Sequence, residues 1–134
     1  MPSKKEQPGR VRVTGIGGVF FRAQNPEKLE AWYSENLGIP DPAKTYDDPP
    51  WRQQEGSTVF QPFKSDTQYF GDASKSWMLN FRVEDLDAMV AWLLANGIRV
   101  EVDPEIYPNG RFARLLDPEG NPIQLWEPGG TDPH

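Results

Sequence analysis

At 134 residues the chain has the length of one domain, enough for its own hydrophobic core. A formal charge of −6 excludes a nucleic-acid face, which needs clustered Lys and Arg, and Lys4-Lys5 is no patch. The absence of cysteine excludes disulfides and thiolate chemistry and fits a cytoplasmic location. No apolar run approaches the roughly 20 residues of a membrane-spanning helix, and the polar, basic Met1 to Arg10 is not a secretory signal.

In chain order, Gly17 to Ala23 is rich in aromatic and branched residues and reads as a strand. Asn25 then caps a helix that carries Pro26 at its first position and Glu27 beside the positive end of its dipole. Leu29, Trp32, Tyr33 and Leu37 recur at helical spacing, and Gly38 ends the run. Glu55-Gly56 reads as a turn into a strand over Ser57 to Phe63, and the polar stretch Lys64 to Ser76 joins this half to the next.

The second half begins with a strand over Trp77 to Val83. Asp85 caps a helix with an apolar stripe of Leu86, Met89, Val90, Leu93 and Leu94 before Gly97. Strands are expected over Ile98 to Val102, Gly110 to Leu116 and Pro122 to Glu127. The last two are joined by a tight turn at Asp117-Pro118-Glu119-Gly120-Asn121.

The halves are copies. A shift of 60 residues lays Phe21-Arg22 on Phe81-Arg82, Ala31-Trp32 on Ala91-Trp92 and Asn36 on Asn96. It also lays Asn25 on Asp85 and Leu29 on Met89. The Gly15 to Gly18 run is not a phosphate loop, because it lies within an expected strand and lacks the spacing of one.

This order of elements, with its helix ending in Leu37-Gly38 and its closing run Asp117 to Pro128, resembles the vicinal oxygen chelate superfamily. That superfamily includes glyoxalase I, extradiol dioxygenases, and fosfomycin- and bleomycin-resistance proteins. The resemblance covers 11–128 and implies an α+β fold of two tandem βαβββ modules, at about 11–64 and 76–128. Curved sheets would enclose a cup with the helices outside, and 1–10 and 129–134 would be flexible tails. It also implies a homodimer.

In the superfamily's metal enzymes, His and Glu ligands project from the first and last strands of each module. The matching positions here are Gly18, Gln61 (with Phe60 as the neighbouring alternative), Met78 and Gln124. Glycine offers no donor, thioether sulfur is soft, and a neutral amide is a weak ligand for a hard cation. The one histidine is His134, at the chain's end. No metal is therefore expected at this site, although Asp47, Asp48, Glu101 and Asp103 leave a carboxylate site elsewhere conceivable.

Strand alternation places Phe20 and Arg22, then Met78, Asn80 and Arg82, then Gln124 and Trp126 on the inner faces. The expected ligand-binding set is Phe20, Gln61, Met78, Asn80, Arg114, Gln124 and Trp126, with Arg111 or Arg114 meeting any anionic group. The same side chains could instead simply fill the space between sheets. The function expected is metal- and cofactor-independent small-molecule binding of the sequestration type. The alternative is a lyase, isomerase or dioxygenase with displaced metal ligands or metal-free acid/base chemistry.

Overall fold

A computed structural model of the chain describes residues 9 and 11–130. Two helices, α1 (Pro26–Leu37) and α2 (Leu86–Ala95), accompany four strands: β1 (Leu79–Arg82), β2 (Glu101–Val102), β3 (Gly110–Leu116) and β4 (Pro122–Pro128). The strands form one mixed sheet in the order β1-β4-β3-β2, with β1 parallel to β4 and the other pairs antiparallel. No helix among the described residues is long and apolar enough to cross a membrane.

Both helices start and stop where their capping chemistry predicts. Asn25 Oδ1 accepts from Lys28 N at 3.1 Å and Asp85 Oδ1 from Ala88 N at 3.0 Å. Gly38 at φ 71° ends α1 in the left-handed conformation, and its N–H bonds back into the last turn. The two helices end in matched bonds: Asn36 Nδ2 donates to Trp32 O at 3.0 Å, and Asn96 Nδ2 to Trp92 O at 2.8 Å. Phe21 and Phe81, equivalent by the shift, meet the Tyr33 ring edge-on at 6.4 and 6.3 Å.

The core lies between the helices and one sheet face. Leu29 and Tyr33 of α1 and Leu86, Val90 and Leu93 of α2 pack with Ala113, Leu115, Ile123 and Leu125. Alternation along β3 and β4 sends these strand residues to the helices and Phe112, Arg114, Gln124 and Trp126 to the other face. Full burial of a side chain such as Leu125 contributes roughly 1.5–3 kcal/mol.

The first half departs from expectation. Gly17 to Ala23 and Ser57 to Phe63 form no strand, and the ladder of the second half has no counterpart there. Strands exist by pairing, and the two halves differ in how pairing is arranged. The β3–β4 hairpin closes through one tight turn, whereas Ser57 to Phe63 follows a long connection holding Pro40, Pro42, Pro49 and Pro50 and itself contains Pro62. Val11, Val13, Val19, Phe20, Val59 and Phe60 are all exposed in consequence.

The expected strand at Ile98 to Val102 shortens to Glu101–Val102. The expected flexible tails fall largely outside the described residues. Gly129 within them is held by its N–H to Asn109 O at 3.3 Å.

Candidate functional site

The closing turn is built around one buried carboxylate. Asp117 is 4% exposed, and its Oδ1 accepts from Glu119 N at 2.8 Å and Asn121 N at 3.0 Å. Its Oδ2 accepts from Asn121 Nδ2 at 2.8 Å and from the Tyr33 hydroxyl at 2.6 Å. Burial first, and then the bond to Asp117, pushes the Tyr33 phenol well above its ordinary range.

Neighbouring residues of this run tie other elements down. Glu119 accepts from Gln24 N and Asn25 N at the start of α1, and Glu127 from Leu86 N at the start of α2. These carboxylates are occupied by backbone donors, so the motif builds the fold and leaves the sheet's other face for chemistry.

That face carries a row in register. Asn80, Gln124, Arg114 and Glu101 lie side by side across the four strands, and Arg82, Trp126 and Phe112 form the next row. Asn80 Nδ2 donates to Gln124 Oε1 at 2.6 Å, and Gln124 Nε2 donates to the Tyr69 hydroxyl oxygen at 2.8 Å. One bond thus joins the two amides, and Tyr69 takes the other end of Gln124. Tyr69, from the joining segment, closes over the row: the Arg114 guanidinium stacks on its ring at 4.0 Å and donates to its carbonyl oxygen. Trp126 is nearly buried, lies parallel to Phe112 at 6.3 Å, and donates its indole N–H to Asn109 O at 2.9 Å.

A cleft of about 2510 Å³ runs along the β1 side of the sheet, lined by Asn80, Arg82 and Trp126 together with the chain from 16 to 78 and residues of both helices. It is larger than the roughly 300–1,000 Å³ of ordinary small-molecule sites because the first half adds no sheet to narrow it. Of the expected binding residues, Phe20, Gln61, Met78, Asn80 and Trp126 line it. Gln124 is one hydrogen bond behind Asn80, and Arg114 is covered by Tyr69. Phe20 is 96% exposed. Arg111 points elsewhere, into a two-bond pair with Asp87 of α2 that holds the Asp87 carboxyl below its usual range.

Sequence reasoning gave Arg82 only an inward face and gave Tyr69 no role. Arg82 lines the cleft, and its guanidinium donates to Ser57 O and, at 2.8 Å, to Gln54 O. Its place on an inner-facing parity was the signal available. For Tyr69, inside an irregular polar segment, there was none.

The residues present do not fit a catalytic divalent metal. Gly18 and Gln61 lie in irregular, exposed segments, Met78 offers only sulfur, and the Gln124 amide is already bonded on both sides. No three His, Cys, Asp or Glu side chains converge among the described residues, including the carboxylates set aside as an alternative. Asp48 accepts from Lys44 N and Thr45 N, and Asp103 from Glu105 N and the Tyr107 hydroxyl.

Comparison with known proteins agrees with this architecture. An antibiotic-binding protein, TnmS3, from Streptomyces sp. CB03234 is similar at 26% identity and TM-score 0.51, over 79% of this chain and 88% of that one. A member of the glyoxalase/bleomycin resistance protein/dioxygenase superfamily from Sphaerobacter thermophilus shares the fold at 22% identity and TM-score 0.51, over 78% and 90%. A glyoxalase/bleomycin resistance protein from Streptomyces sp. CB03234 is 40% identical at TM-score 0.35 over 39% of this chain, and the match spans only 46% of that protein's length. No curated protein matches the chain significantly. A family profile described as a glyoxalase-like domain matches residues 18–126, and the chain belongs to that family.

Proposed function

We propose that the chain is a metal-independent small-molecule binding domain that holds its ligand without converting it. The observation that carries this reading is the inner sheet face. At Gln124, where a chelating enzyme needs a carboxylate or imidazole, it presents a neutral amide bonded to Asn80 beside the rings of Trp126 and Phe112, and such faces orient ligands by placed hydrogen bonds beside apolar walls. The similarity to an antibiotic-binding protein at 26% identity supports the same class. Phe20, Gln61, Met78, Asn80, Gln124 and Trp126 form the ligand set, and Arg114 joins them if Tyr69 swings away.

The working unit in this reading is one domain over 11–128, found in the cytoplasm. It completes its two βαβββ modules as a homodimer, whose partner covers the exposed Val11, Val13, Val19, Val59 and Phe60. Sedimentation analysis should find a dimer at micromolar concentration, and a monomer throughout would remove that element.

The binding claim is tested by a thermal-shift screen of planar natural-product scaffolds run with and without EDTA. Ligands that stabilise equally in both conditions are the expected result. Stabilisation or turnover that requires a divalent metal would put the enzyme reading first.

A further inference from the structure

Among the charged residues that line the cleft, Arg82 is the one carried by a strand; the others sit on loops and helices around the rim. It is half-buried, and both of its protein acceptors, Ser57 O and Gln54 O, are neutral carbonyls. The other strand arginines differ: Arg111 is paired with Asp87, and Arg114 is stacked under Tyr69. No ion pair compensates Arg82 among the described residues.

A guanidinium has five N–H donors, and two of these are used here, so three are left. Withdrawing a cation from water without a counter-charge is unfavourable, and an anion is the partner that reverses the balance. The carbonyls fix the guanidinium in advance, so binding loses little side-chain freedom. Gly56 completes the seat, since a Cβ there would lie 2.9 Å from the guanidinium carbon. Directly across the ladder from Arg82 stands Trp126, backed by Phe112.

We infer that Arg82 makes the cleft selective for planar aromatic ligands bearing a carboxylate or similar anionic group, with the anion on the guanidinium and the ring in the cleft beside the edge of Trp126 that lines it. This rests on the binding reading above and specifies its ligand class. It also runs against the protein's net charge of −6, which taken alone would favour cations.

The test is isothermal titration of the whole chain with naphthoate, naphthamide and naphthylmethylammonium of identical ring substitution. Naphthoate should bind about tenfold or more tightly than naphthamide, as a charge-assisted hydrogen bond provides, and the ammonium should bind weakest. R82Q should bring the carboxylate-to-amide ratio close to one, a change that loss of a loop clamp alone, which would weaken all three probes alike, would not produce. Should R82Q not fold, the unmodified protein's own series still decides. Naphthamide or the ammonium binding as tightly as naphthoate overturns the charge assignment alone. Binding of none of the three overturns both this inference and the aromatic binding site beneath it.

Discussion

Replacing Asp117 with alanine removes an acceptor on which four donors converge. The Asn121 N–H, the Asn121 side-chain amide and the Tyr33 hydroxyl are buried, and the Glu119 N–H is partly so. A buried donor left unsatisfied costs about 1–3 kcal/mol, and more when the lost partner was charged. The four share one site and are not additive, so the net loss should be on the order of 3–5 kcal/mol. That is a large part of the roughly 5–15 kcal/mol that holds an ordinary domain folded.

Asp117→Asn keeps the shape and one acceptor oxygen but turns an NH₂ group toward two of the donors, so its loss should be smaller, about 1–3 kcal/mol. Urea unfolding followed by tryptophan fluorescence would measure both. A loss below about 1 kcal/mol for the alanine variant would refute the role assigned to this carboxylate as the anchor between α1 and the closing hairpin.

Gly110 sits at φ 133°, where an added Cβ would lie 2.1 Å from Glu127 O; Gly110→Ala should therefore lower stability by more than 1–3 kcal/mol of ordinary overpacking, read by the same unfolding assay. Tyr33 gives a pH dependence. Because its folded-state pKa is raised, the folded state holds the proton more tightly than the unfolded chain, so stability is complete below pH ~10 and falls as pH rises beyond it. Tyr33→Phe should flatten that alkaline decline in thermal melts taken across pH. Trp126→Leu should weaken aromatic ligands about tenfold or more by titration.

How much was legible in the sequence follows from how local each signal is. Both helices could be read because Asn25, Asp85, Gly38 and the apolar stripes act within one or two turns. The β3–β4 hairpin could be read because its turn residues sit together. The first half could not, since nothing local in Gly17 to Ala23 states which strand it pairs with, and its shared Phe21-Arg22 signature did not supply one. In the site, alternation correctly put Asn80, Gln124 and Trp126 on one face. It was silent on Tyr69, whose position over Arg114 depends on the path of an irregular segment, and on the carbonyls that seat Arg82.

The most direct test of the central claim is to titrate the best-stabilising ligand calorimetrically in EDTA and then recover it by chromatography. The account predicts saturable binding that added divalent metal does not change, with the ligand returned intact. Conversion of the ligand, or binding that appears only once metal is supplied, would contradict it.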